Sequence, residues 1–303
     1  MNHRNRTVLV TGATGRQGGV TAHRLLADGW HVKALVRDPD AAGAAALRRA
    51  GAEPVTGDFD DRAGLAEAMT GVHGVFAVPG VSYQEGGWPF ARELRHMRNV
   101  VDAAAGAGVS HLVFTGIGTV GTPGGAGFNA KEAVERHIRD SGVPFTLLRP
   151  VRFMENHLLT GLPVNGISGG VHRHLFLPHV PAQMIALEDI GVFAALAFGD
   201  PDRYAGEALE LAGDAVSPVT AAEMVTAATG RAVSYRRIDV EEAAAMGDDV
   251  RHMWTLASEG HGWVADIPAL RRSHPGLQGF ADWLHRGGAA RLRHMMDAET
   301  ATG

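Results

Sequence analysis

Thr7-Val8-Leu9-Val10-Thr11-Gly12-Ala13-Thr14-Gly15-Arg16-Gln17-Gly18 is the stretch that decides the fold. A short β-branched, apolar run leads without a linker into a Gly-x-x-Gly-x-x-Gly turn, and a helical pattern begins at its last glycine. Gly12 allows the tight turn, Gly15 lets the backbone approach a pyrophosphate, and Gly18 lets the helix pack close to the sheet with its N-terminus toward the anion. A glycine motif alone says little. Strand, turn and helix in this order, at the start of a βαβ chain, separate it from an ordinary glycine-rich turn.

Outward from that turn, β-branched runs alternate with longer helical patterns. Residues 8–10, 31–36, 74–78, 111–114 and 145–148 read as strands, and 18–28, 40–50, 62–69, 88–107 and 129–141 as helices. Gly29, Gly51, Gly71, Gly108 and Gly142 close those helices. Such alternation predicts an α/β fold: a doubly wound parallel sheet of the Rossmann kind, with ligands beyond the carboxyl ends of its strands. After Pro150 the regularity stops. Segments rich in Gly, His and Pro are followed by a helical run near 190–198, a strand at 208–212, and a helix whose Thr220-Ala221-Ala222-Glu223 has capping-box spacing. The expected organisation is a dinucleotide-binding domain over 1–150 and a smaller mixed substrate lobe over 151–303, interleaved with the main sheet.

The second strand ends in Arg37, 19 residues past Gly18 (37 − 18), where an acidic residue would select NAD through the ribose 2′-hydroxyl. Arginine instead suits a 2′-phosphate, and Arg16 in the glycine loop is read as a second cation, so NADP(H) is the expected cofactor. The alternative is a solvated Arg37 paired with Asp38 or Asp40. Asp58, in Gly57-Asp58-Phe59-Asp60, can accept a hydrogen bond from the adenine amino group or cap the following helix. Thr14, Gln17, Phe59, Val78 and Pro150, at the turn and the strand ends, complete the expected cofactor-binding set.

Composition narrows the rest. The 303 residues are 45% hydrophobic and 20% charged, enough for a sizeable core. With 28 Lys plus Arg against 33 Asp plus Glu, the net charge is −5, and no basic stripe invites a nucleic acid. The absence of cysteine removes disulfides, thiolate metal sites and a cysteine nucleophile, so redox chemistry requires a bound cofactor. No apolar run is long enough to span a bilayer and no apolar signal core precedes Thr7, which points to a cytoplasmic protein, monomer or homodimer, with a small-molecule substrate.

The residues at 10–19, Val36-Arg37, Gly57-Asp58, Asn129-Ala130-Lys131-Glu132 and Phe153-Met154-Glu155-Asn156 together resemble the NmrA-like and isoflavone-reductase-like atypical short-chain dehydrogenases. The resemblance continues through 186–191, 206–213 and 220–235. It implies an NADP-binding domain with a small C-terminal substrate lobe, in a group containing both reductases and dinucleotide-sensing regulators. In the wider superfamily a tyrosine four residues before a lysine donates the proton, one helical turn away, and a serine polarises the carbonyl. Lys131 matches the lysine, but Gly127 stands where the tyrosine would be, and Thr115 is the nearby hydroxyl resembling the serine.

Three readings stay open: a ketone reductase in which the proton comes from water, another side chain or a substrate hydroxyl, an NADP(H) sensor without turnover, and a quinone or double-bond reductase. Lys131 and Thr115 are the expected catalytic pair. Tyr83, Trp88, Phe153 and Met154 are expected to line an apolar pocket suited to a large flat substrate, with core packing as the alternative. His172, His174 and His179 have ligand-like spacing, but no carboxylate is interleaved and a flexible lobe loop explains them, so no metal is expected. The Ala-, Gly- and Arg-rich composition suggests a GC-rich bacterial genome and a tailoring ketoreductase of secondary metabolism.

Overall fold

Runs of apolar residues that cannot be left in water stack side by side here, and the helices between them cover both faces. The structure, a computed structural model, describes residues 6–80, 89–120, 129–160 and 163–302. In chain order, β1 (Thr7–Val10), α1 (Arg16–Ala27), β2 (His31–Val36), α2 (Ala42–Arg49), β3 (Glu53–Thr56), α3 (Arg62–Ala68), β4 (Gly74–Ala77), α4 (Phe90–Gly106), β5 (His111–Thr115), α5 (Asn129–Asp140) and β6 (Phe145–Pro150) alternate strictly. Then come β7 (Arg152–Phe153), a 3-10 turn (Met154–Leu158), β8 (Ile167–Ser168), β9 (Val171–His174), β10 (Ala182–Ile185), α6 (Leu187–Gly199), α7 (Pro201–Tyr204), β11 (Ala208–Leu211), β12 (Asp214–Val216), α8 (Pro218–Thr229) and β13 (Ser234–Arg237).

The main sheet has seven strands in the order β11-β6-β5-β4-β1-β2-β3. All are parallel. β4 and β5 are buried throughout, as strands covered on both faces must be. One face packs Val8, Phe76 and Val113 against Ala22 and Leu25 of α1 and Phe193 and Phe198 of α6. The other packs Leu9, Val75 and Leu112 against Leu65, Met97, Val101 and Ile138 of α3, α4 and α5. A side chain at Gly191 would meet the Val20 carbonyl at 3.0 Å, so this glycine permits the close approach of α6 to α1. Two three-stranded sheets, β12-β10-β7 and β13-β9-β8, make up the smaller part. α6 and β11 return from it to the main layers.

Three local expectations are corrected. The cap of α8 is Ser217, whose hydroxyl accepts from the Thr220 amide at 3.2 Å, so the helix starts earlier than Thr220 and the expected capping box there does not form. His172 and His174 lie on β9 with both side chains buried, rather than in a flexible loop. Met154 is fully buried among Phe280, Trp283 and Leu292, so it is core and does not line a pocket. Among the described residues no helix is long and apolar enough to cross a membrane.

Candidate functional site

The strand order reverses between β1 and β4, because β2 and β3 extend the sheet on one side and β4, β5 and β6 on the other. A crevice therefore opens at the carboxyl ends of these two strands. Thr11 ties its rim together: its amide donates to Phe76 O at 2.9 Å, and its hydroxyl accepts from Val78 N at 2.9 Å and donates to Val78 O at 3.3 Å. Gly12 turns the chain at φ +56°, where a Cβ would also lie 2.8 Å from Val78 Cγ1. Gly15 N then donates to Gly12 O at 2.8 Å and closes the turn. Gly15 is also the N-cap of α1, with no side-chain hydrogen bond to the cap and no acidic residue in the first turn. The first amides of α1 thus have no side-chain cap, and the turn ahead of them is largely glycine backbone, an arrangement that fits a pyrophosphate.

Arg37 follows β2 directly and is exposed, with no hydrogen bond or ion pair among the described residues. The alternative of a pair with Asp38 is not seen; Asp38 instead accepts from the Asp40 amide at 2.9 Å. Thr14 packs toward the start of α2, its Cγ2 lying 3.1 Å from where a Gly43 Cβ would be. Arg16 corrects the expectation of a second cation beside Arg37. Its guanidinium turns to the opposite side, donating to Asn156 Oδ1 at 3.2 Å and lying 5.6 Å over the Phe153 ring. Of the neighbouring aspartates, Asp61 caps α3 by accepting from Gly64 N at 3.0 Å. Asp58 is exposed and accepts from the Asp60 amide at 2.8 Å. Phe59 is half-buried, its carbonyl held by Asn99 Nδ2 at 2.8 Å, and Pro150 O receives Gly118 N at 2.8 Å.

The first turns of α4 and α5 meet at the carboxyl ends of β4 and β5. Lys131 Nζ donates to Glu93 Oε1 at 2.8 Å, with the lysine side chain 16% exposed and the glutamate 1%. The second carboxylate oxygen of Glu93 is buried without a hydrogen-bond partner among the described residues. Sequence reasoning missed Glu93, yet it left a signal: Glu93, Met97, Val100 and Ala104 recur on the buried face of one helix, so an acid occupies the apolar stripe. Removing one partner of a buried pair costs about 3–5 kcal/mol. Glu93→Gln and Lys131→Met are therefore each expected to destabilise the protein, and the double variant by about 1–3 kcal/mol less than their sum. Urea unfolding of the four proteins measures this, and strict additivity would show that the pair contributes nothing.

Thr115 ends β5 with its side chain buried, donating from Oγ1 to Gln17 Oε1 at 2.7 Å. Its hydroxyl is thus spent on fastening the glycine loop to the sheet. Beyond β6, Phe153 is half-buried beneath Arg16, and Trp263, unforeseen from the sequence, donates its Nε1 to Gly118 O at 3.2 Å. Tyr83, Trp88 and Gly127 lie outside the described residues. No group of three His, Asp or Glu among the described residues is arranged to hold a metal.

A parallel sheet with an uncapped, acid-free glycine turn at its switch point defines a dinucleotide-binding protein of the Rossmann type. The profile of the NmrA-like family matches residues 4–258, and the chain belongs to that family. It is 32% identical over 239 residues, 78% of each chain, to the (4-alkanoyl-5-oxo-2,5-dihydrofuran-3-yl)methyl phosphate reductase of Streptomyces griseus. It is also similar to the NADPH-dependent quinone oxidoreductase of Escherichia coli, solved with NADPH, with a TM-score of 0.74, 25% identity, and coverage of 92% of this chain and 99% of that one. The fold is shared with the negative transcriptional regulator NmrA, solved with NADP, at a TM-score of 0.74, 20% identity and 99% and 98% coverage.

Proposed function

We propose that this protein is an NADPH-dependent oxidoreductase that reduces a carbonyl in a bulky, aromatic or polyketide-like small molecule. The observation that carries this reading is Arg37, unpaired among the described residues, beside an α1 N-terminus with neither side-chain cap nor acid, a surface complementary to a phosphorylated dinucleotide. The relatives named as reductases and as an NADPH-dependent quinone oxidoreductase support it. In this reading the glycine loop and α1 hold the pyrophosphate, Arg37 the 2′-phosphate, and Lys131 the nicotinamide ribose. Asp58, Phe59, Val78 and Pro150 border the rest of the cofactor. NADPH, when bound, supplies the hydride. Thr115 positions the loop through Gln17 rather than polarising the substrate, and Phe153 faces the substrate side of the crevice. The proton for the reduced oxygen then comes from water or from a hydroxyl adjacent to the carbonyl, because the Thr115 hydroxyl is already committed.

The test is cofactor oxidation followed by absorbance against quinones, aromatic ketones and an alkanoyl-oxo-dihydrofuran, with NADPH and NADH in parallel. Turnover with NADPH preferred is the expected result. Arg37→Asp should reduce that preference at least about tenfold, since charge-assisted contacts contribute roughly 1.5–3 kcal/mol. Tight NADPH binding without turnover of any of these compounds would favour the sensor reading.

A further inference from the structure

Behind the substrate side of the crevice lies a group of polar side chains that cofactor binding does not use. Arg152 on β7 is buried at 7% exposure. Its Nη2 donates to Asn165 O at 2.8 Å and to His172 Nε2 at 3.1 Å, and its Nη1 to His157 Nε2 at 3.4 Å. No carboxylate among the described residues forms an ion pair with it. The charged group acting on it besides the Tyr235 phenol is another cation, Arg16. A buried charge without a counter-charge is strongly unfavourable.

The imidazoles around it do not supply that counter-charge. Burial above all, and then the Arg152 charge among their neighbours, hold His157, His172 and His174 well below the ordinary histidine range, so all three are neutral. His172 Nε2 meets both Arg152 Nη2 and the Asn165 backbone. His172 Nδ1 and Arg152 Nε are both buried without a hydrogen-bond partner among the described residues, and Arg152 Nε can only donate. An orphaned donor on a buried, unbalanced cation lacks one thing, a negatively charged acceptor.

The group adjoins the place where a substrate would enter. Arg152 is two residues past Pro150, the end of β6, and follows Val151, which lies 3.1 Å from where a Gly118 Cβ would be. His174 stacks on Phe176 at 4.1 Å, and Phe176 meets the edge of Trp263 at 5.6 Å, the residue bonded to Gly118 O.

We propose that Arg152, with His172, forms an oxyanion-binding subsite, and that the substrate of the reductase carries a carboxylate or phosphate group seated there. The substrate half of this proposal rests on the reductase reading above; the anion-binding half does not.

Two measurements separate them. In protein saturated with NADPH, so that the dinucleotide site is filled, inorganic phosphate is expected to raise the Tm saturably, and Arg152→Met to abolish the saturable part. Arg152→Lys keeps the charge without the Nε donor and is expected to weaken phosphate binding about 10-fold. It serves as the test if the methionine variant does not fold. Turnover of acetophenone, acetylbenzoate and acetylphenyl phosphate is then compared. One of the two anionic ketones should show a kcat/KM about 10- to 100-fold above acetophenone, an advantage lost in the Arg152 variants with acetophenone turnover kept, and which one identifies the group. No saturable phosphate effect, or one unchanged in both variants, overturns the subsite even if the ketones are reduced. A phosphate effect dependent on Arg152 without turnover of any ketone retains the subsite and rejects the reductase reading.

Discussion

Gly18→Ala is expected to lose NADPH affinity by at least about 100-fold and to lower the Tm together with it. A Cβ on Gly18 would lie 2.2 Å from Gly12 O, 2.6 Å from Gly12 C and 2.8 Å from Thr11 O. All three atoms are backbone, and Thr11 and Gly12 are fixed by their bonds to Phe76 and Gly15. Either the turn opens or α1 withdraws from the sheet, which disturbs the packing of Ala22 and Leu25 against α6. Overpacking of this kind costs about 1–3 kcal/mol, a Tm loss of roughly 2–10 °C for a chain of this size. Gly15 makes the internal comparison. A Cβ there meets only Gly12 O, at 3.1 Å, and the residue is exposed. Gly15→Val is therefore expected to fold with a Tm close to the parent while its side chain occupies the cradle and blocks the dinucleotide. Calorimetric titration with NADPH beside thermal unfolding reads both effects. A Gly18→Ala protein with parental Tm and affinity would show the turn to be a mere connection.

The contrast between these glycines follows from what a sequence carries. Local order was legible: the run 7–11, the glycine turn and helices closed by glycines such as Gly29 and Gly142, which adopt φ of +85° and +77°, are set by neighbours in the chain. Arg37 could be placed because the position after a strand is fixed by the strand. Arg16 could not. Its backbone location in the loop was evident, but whether its long side chain turns to β2 or to Asn156 depends on residues 140 positions away. Met154 and Phe153 illustrate the same limit. Adjacent where β7 meets the 3-10 turn, Phe153 is half-buried and Met154 fully buried, and only the packing of Phe280 and Trp283, far along the chain, makes the latter core. Nor does any local signal show that Glu93 faces Lys131. Its place in an apolar stripe says that it is buried, not with what.

Acidification is expected to unfold the protein over an unusually narrow interval below about pH 6.5. His111 is buried beside Thr146 Oγ1, 2.8 Å from its Nε2, and burial first, then His73, pulls it down to about 4. His157, His172 and His174 are also held well below the ordinary value, chiefly by burial. For a histidine whose folded value is depressed, the unfolded chain takes up the proton first as the pH falls. The stability contribution is thus fully present above the unfolded value of about 6.5 and is lost progressively below it. A fully titrating group costs about 1.4 kcal/mol per pH unit, and one half-protonated at about 6.5 costs about 1 kcal/mol over the next unit, so four together cost roughly 4 kcal/mol between pH 6.5 and 5.5, a large part of the stability of a typical domain. Glu155, raised mainly by burial, works in the opposite sense, since its native state favours the proton. It is one group against four and does not offset them. Urea unfolding across pH 8 to 5 should show a slope approaching four protons near pH 5.5, reduced by about one in His111→Asn. A stability that stays flat from pH 7.5 to 5.5 would mean that these imidazoles are hydrated and charged in the folded protein.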